Sequence, residues 1–469
     1  TEDDPIIAAP QGYSVVDLET DPFTFDRSRE QVIDLIEPES AALIDYGNLS
    51  YDEAFAEMVN LFRERYAFTE YYGLDWDAIE AELAPIFAEA EANNNVTLYV
   101  DGVREFLSRV PDGHVAFGPV SALIDDFRFR IIGGIGIAIR ETDDGESLVT
   151  YLLPAGPAAE AGIELGATIH EINGTPMAEH ISNQEVYLQQ FSTDHNRRLE
   201  QMRFATRFNG NVNSVDVVYS NPGSGERVEI TLTPVQEFES YSAGGFPIAD
   251  TDPTSLPVEY RLLDSGYGYA TITGFSDNSL LTVQLWERMI TQMKNLGVTG
   301  IVIDMRENGG GSGFLADQLS AYFFDDPHIV GGRGIYSEEL GEFFFDERSV
   351  QRLILPSEDL RYRGDVAVLV GPNCASACER FAYNFTIKGR GAIVGQYPSA
   401  GLGGGVNDFR MPEGLTVRYT VSRSVDVNGN IHIEGLGVAP TVDVPVNRET
   451  LFSDDDPVLE AAIEWLDSQ

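Results

Sequence analysis

Lysine is almost missing from this chain: of 469 residues, only Lys294 and Lys388 are lysine. Lysine and arginine together number 30 against 76 acidic residues, which leaves a net charge of −46. So acidic a surface repels nucleic acid and anionic membranes, and neither is expected as a partner. It suits solubility in a salty medium, such as that of a marine or halophilic source. The carboxylates are spread along the whole chain, so the acidity of a single site does not account for them. Cysteine is scarce as well. Cys374 and Cys378 are the only two, which argues against a disulfide framework. They read as two small buried residues packing a helix, with a local disulfide or redox switch as the alternative. No apolar run reaches about 18 residues, so no segment is read as spanning a membrane. His114, His170, His180, His195, His328 and His432 show no metal-ligand spacing, and neither a metal nor another cofactor is expected.

The composition that remains, 43% hydrophobic and 10% aromatic, is that of a globular protein with ample core. The length points to two or three domains. The opening TEDDPIIAAPQ reads as a trimmed acidic linker, the kind of start that removal of an export signal leaves. The expected location is therefore periplasmic or extracellular. After a linker over 1–27, residues 28–118 carry apolar residues at helical spacing, with helices expected over 30–43, 51–66, 76–93 and 98–110. Asp75 is placed to cap the third. Pro111-Asp112-Gly113-His114 then puts His114 at a loop edge, where an imidazole is a candidate general base near neutral pH. Residues 119–236 read mainly as strands: FRIIGGIGIAIR, SLVTYLLP, ATIHEINGTPM and a closing hairpin, with a polar helix over 183–208. From 237 to the end the pattern is α/β.

The chain is organised around residues 366–388, VAVLVGPNCASACERFAYNFTIK. Five apolar residues in a row predict a strand covered on both faces. Gly371 and Pro372 end it, and Ala375-Ser376-Ala377 opens a helix. A hydroxyl at that point faces backbone N–H groups without intrahelical partners and the positive end of the helix dipole. It is a candidate nucleophile beside a ready anion site, although a serine that merely caps a helix looks the same. A second strand, TGIVID, runs into Met305-Arg306-Glu307-Asn308-Gly309-Gly310-Gly311. No lysine follows the glycines, so this is a poor phosphate loop. As the source of one oxyanion donor it fits, provided it lies beside the Ser376 helix.

Two resemblances join these pieces. Gly134-Ile135-Gly136-Ile137, the run Pro154 to Ile163, Leu165-Gly166 and Ile172-Asn173-Gly174 resemble a PDZ domain, although Ala167 stands where that family usually has Asp. The resemblance implies that Gly134, Ile135, Gly136 and Ile137 receive a peptide C-terminus and that the peptide adds as a strand. The whole order, a helical cap, Asp-Gly-His, the PDZ-like unit, Asp304-x-Arg306-x-Asn308-Gly-Gly and Ser376-Ala-x-Glu379, resembles the C-terminal processing (tail-specific) and tricorn-core serine peptidases. That family implies an α/β fold, a crotonase-like, Clp-protease-like core with an N-terminal helical domain and an inserted PDZ-like domain, acting on polypeptides. It implies Ser376 as nucleophile, with oxyanion donors at Ala377 and at a glycine within 309–311, Gly310 being chosen. One branch of the family uses a lysine about two dozen residues after the serine; the window 398–403 holds none. Lys388, twelve residues on, would lie about 18 Å along a continuous helix. The other branch uses a His and a late Glu, which match His114 and Glu434, although Gly113 replaces the serine usual before that His. With His114 as base, kcat/KM is expected to rise through about pH 6–7. Two other classes remain open: an inactive PDZ-containing protein that binds peptides or ligands, and an acyl-CoA enzyme on the same core. The second needs a basic CoA site, which this acidic chain argues against.

Overall fold

The computed structural model describes residues 43–246, 256–275, 278–337, 340–345 and 350–469, together with short pieces of 1–42. The chain divides into two units, 1–45 and 46–469. In the first, Ile6–Ile7 pairs antiparallel with Gln31–Val32, and Val15–Asp17 with Thr24–Asp26. This corrects the expected helix over 30–43 at Gln31–Val32; residues 33–42 lie outside the described residues. It also corrects the linker reading of 1–27 at those strands.

In the larger unit, helices Tyr51–Arg65, Trp76–Ala92 and Val96–Ser108 follow the apolar spacing closely. Asp75 accepts from Ala78 N–H at 3.0 Å, as a capping residue does. Their shared core is aromatic: Phe55 stacks on Phe87 at 4.0 Å, and Phe62 meets Phe106 edge-on. Phe62 also packs on Tyr419, fastening the helices to the strand Thr416–Val425.

The middle of the chain forms an antiparallel sheet in the order Val228–Leu232, Val215–Ser220, Thr168–Ile172, Ser147–Leu152, Ile137–Glu141. Helix Asp194–Ala205 packs against it and is shorter than the 183–208 read from polarity. FRIIGGIGIAIR was expected to be one strand. It begins instead inside a helix, Ile124–Ile131, where Arg130 pairs with Asp126, and turns to strand only at Gly133–Gly134.

The C-terminal part holds a second sheet, ordered Val258–Leu262, Gly268–Ile272, Gly300–Asp304, Asp365–Leu369, Ala392–Gly395, Val442–Asp443. All its neighbours are parallel except the first pair. Alternate residues bury on opposite faces. Ile301, Ile303, Val366 and Val368 pack under the helices Ser279–Asn295, Gly313–Ser320 and Ala377–Thr386. Val302, Ala367 and Leu369 pack under Pro457–Asp467. This is why TGIVID and VAVLV read as unbroken apolar runs. A third sheet contains Ile329–Ser337, Thr416–Val425 and Gly404–Arg410, and Ala116–Gly118 joins it by pairing with Thr416–Arg418. That pairing carries the segment after His114 across to the C-terminal part. The architecture is a mixed α/β fold, and no described helix is long and apolar enough to cross a membrane.

Candidate active site

Parallel pairing of Gly300–Asp304 with Asp365–Leu369 sets Asp304 opposite Leu369, so the loops that follow emerge side by side. Ligand sites of α/β sheets form at such carboxyl ends. Ser376 stands directly before helix Ala377–Thr386 with φ 56° and ψ −114°, a left-handed conformation that costs a non-glycine residue about 1–3 kcal/mol. Asn308 joins the loops: it is fully buried, its carbonyl accepts Ala375 N–H at 3.1 Å, and its side chain bonds Ile272 O and Gly310 N–H.

Gly310 is held at φ 99°, and a Cβ there would come within 2.8 Å of Ser376 Cβ and 2.6 Å of Ala375 O. Its own N–H, however, donates to Asn308 Oδ1 at 2.8 Å. Gly310 is thus the close-approach residue, with its donor already engaged. Phe275 bridges to the residues on either side of Gly311, leaving the Gly311 N–H turned the other way. Ser376, Ala377, Gly311 and His114 all line one cavity of about 620 Å³, with Leu402 and Gly403 on its wall. The start of the helix Ala377–Thr386 and Gly311 thus border the same cavity as Ser376.

His114, Asp112 and Glu434 gather so that one ligand atom of each lies within 4.8 Å of the others. The sequence gap between 114 and 434 hides this set, which has the separations of a metal site as well as of a proton relay. Asp112, fully buried, accepts from His114 N–H at 2.8 Å, Tyr66 OH at 3.0 Å and Thr420 OH at 2.7 Å. Glu434, also fully buried, accepts from Tyr72 OH at 2.5 Å and Gly403 N–H at 2.7 Å. Burial, reinforced by the charge of Asp112, pushes its carboxyl well above the usual range, while Tyr72, Gly403 and Ser192 pull it down. Burial likewise lowers the His114 imidazole below its ordinary 6.5, with Asp112 opposing and Arg418 assisting. His114 Nδ1 is buried without a partner.

Sequence reasoning assigned no role to Asp112, Tyr72, Ser192 or Glu379. Asp112 was visible inside Pro-Asp-Gly-His; Tyr72 and Ser192 carried no signal at all. Of the two cysteine readings the alternative holds: Cys374 and Cys378, both buried, are joined in a disulfide, with Cα atoms 5.4 Å apart. The turn into the helix brings positions four apart within bridging distance. Neither lysine lines the cavity; Lys294 bonds the Asp359 carbonyl, and Lys388 lies beside His328. Asp304 and Arg306 do not line it either. They form a ring with Asp456 and Tyr269 that ties down the C-terminal helix.

Gly134–Ile137 leads into the edge strand Ile137–Glu141. Gly133–Gly134 is paired on both sides, by Arg207–Phe208 and Val235–Gln236, and the buried Arg207–Glu237 ion pair closes over Gly134. At Gly134 the expectation of an open carboxylate nest is not met.

Residues 266–444, which contain the glycine loop, Ser376 and Glu434, match the model of peptidase family S41. The chain is a serine peptidase, similar over this segment to the S41 peptidases. Over 387 residues it is 25% identical to a chloroplastic C-terminal processing peptidase of Tetradesmus obliquus, a match covering 76% of this chain and 69% of that protein. Among solved structures, mature CPAF complexed with lactacystin shares the fold at a TM-score of 0.58 and 14% identity, over 89% of this chain and 97% of that one. The photosystem II D1 C-terminal processing protease aligns over 89% of this chain and 97% of its own, at 21% identity and a TM-score of 0.42.

Proposed function

We propose that the chain cleaves peptide bonds by acyl transfer through Ser376, His114 and Glu434. The observation that carries this is the strained Ser376 at a helix N-terminus, facing the cavity that His114 also lines. Burial favours the neutral imidazole, the form that takes the Ser376 proton as Oγ attacks the carbonyl carbon. The same imidazolium then protonates the leaving amine, and water releases the acyl enzyme. The Ala377 and Gly311 N–H groups face the tetrahedral oxyanion, each such donor contributing about 3 kcal/mol. Gly311 takes the place expected for Gly310, whose N–H is engaged. Glu434 and Asp112 together stabilise the imidazolium, and the unpartnered Nδ1 is the atom available to them.

Ser376→Ala is expected to lower hydrolysis by about 10⁴- to 10⁶-fold with a nearly unchanged Tm. A fluorophosphonate probe followed by intact-mass analysis should add one label, on Ser376. Residual activity above about one per cent would overturn the assignment.

The finer architecture belongs to the same proposal: a helical domain ending at 118, a PDZ-like domain over 119–236 and a crotonase-like core over 237–469. Its support is the motif order and the parallel sheet. Substrate C-termini are proposed to enter at Gly136 and Ile137, since Gly134 is closed. Peptides with a free carboxylate should bind more tightly than amidated ones in a fluorescence titration, and equal affinity would remove this role. An exported location is supported by the Cys374–Cys378 disulfide, which persists in oxidising compartments.

A further inference from the structure

Glu379 lies one helical turn beyond Ser376 with 0% of its surface exposed, and no chemical step above uses it. Its carboxylate accepts four hydrogen bonds: from Ser376 N–H at 2.8 Å, Gly401 N–H at 2.6 Å, Leu402 N–H at 2.7 Å and Ser399 OH at 2.7 Å. All four donors are neutral. Burial pushes the carboxyl up to about 7, against the pull of these donors. A buried carboxylate without a cation is retained only where its lone pairs are filled, as they are here.

The donors fall into two groups. One is the backbone of the nucleophile itself. The other three belong to residues 399–402, a segment that forms no strand of its own. The next residue, Gly403, donates to Glu434 Oε2 at 2.7 Å and lines the cavity. A continuous path therefore runs from Ser376 through Glu379, Leu402 and Gly403 to Glu434, beside His114. A further bond joins the same segments directly, Ala400 N–H to Cys374 O at 2.9 Å.

We infer that Glu379 is a positioning residue for the peptidase reaction: its carboxylate sets the separation between Ser376 and the Gly403–Glu434 wall. The inference rests on the proposed roles of Ser376 and Glu434. A glutamine at 379 keeps the shape but offers one acceptor oxygen and turns an NH₂ toward N–H groups. Two of the four donors then lose their partner, and the nucleophile and the wall move apart.

The test is Glu379→Gln in the full chain, assayed on an unfolded protein substrate and with the fluorophosphonate probe. The expected result is a fall in kcat of about 10- to 100-fold, the scale of a small misplacement of reacting groups. KM should stay within about twofold, because the cavity lining is otherwise untouched. Labelling of Ser376 should slow by the same factor as kcat. The Tm should change little, since the loss of a desolvated charge offsets the two donors left unpaired. Ser399→Ala removes one of the four donors, together with the acceptor of Val438 N–H, and should lower kcat in the same direction by a smaller factor; it decides the matter if Glu379→Gln does not fold. A variant with wild-type kcat, or one in which kcat, KM and Tm all worsen together, overturns the inference. Failure of the wild-type protein to label at Ser376 would instead overturn the nucleophile assignment, which separates the two.

Discussion

On one side of the cavity, Ser376, Ala377 and Gly311 come from two loops that follow adjacent parallel strands. On the other, Asp112, His114 and Glu434 are assembled with Tyr66, Tyr72, Ser192 and Thr420, drawn from four regions of the chain. The two sides also treat a buried carboxylate differently. Glu379 is surrounded by four neutral donors. Glu434 shares its neighbourhood with the charge of Asp112, which pushes it up further. A carboxylate filled with donors holds backbone in place. A crowded pair is poised to answer a positive charge, which is what an imidazolium supplies.

The strongest way to break this contrast is on the base side. His114→Ala should lose activity about as severely as Ser376→Ala, by about 10⁴-fold or more in kcat/KM, while Lys388→Ala keeps most of it. An active His114→Ala paired with a dead Lys388→Ala would replace the imidazole by a lysine base. Next in size is the nucleophile side. Gly310→Ala forces a Cβ against Ala375 O and Ser376 Cβ at φ 99°, which should lower stability by about 1–3 kcal/mol and kcat by about 100-fold. Gly309→Ala, with nothing within 4 Å of its Cβ, should do neither in chemical denaturation and steady-state assays. The smallest effect is the acid limb of kcat/KM. In the proposed mechanism His114 acts in its neutral form, and burial holds it below 6.5 with Asp112 opposing. Activity should therefore disappear as pH falls through a value below 6.5, lower than the sequence alone suggested. Asp112→Asn removes the opposing charge and should move the limb to still lower pH; a limb that moves upward would show that Asp112 does not face the imidazole.

The Ser376 side was legible because its determinants are local. A buried parallel strand must be apolar throughout, a sharp exit from it needs glycine, and a helix start leaves free N–H groups; each leaves a mark within a dozen residues at 300–313 and 365–379. His114 and Glu434 were found by resemblance. Composition and periodicity have no means of pairing residues 320 apart in sequence. Tertiary structure decided that the Gly310 N–H is engaged, because Asn308, whose side chain accepts it, is held from the neighbouring strand by Ile272 O. It decided that Asp112 stands beside Glu434, because Ala116–Gly118 pairs with Thr416–Arg418 in one register. It also decided that Gly134 is closed, because Arg207 and Glu237 fold over it from two later segments. The strand, turn and helix around Ser376 follow from nearest neighbours in the chain. The charge environment of His114 follows from long-range strand pairing, whose partners no local pattern names.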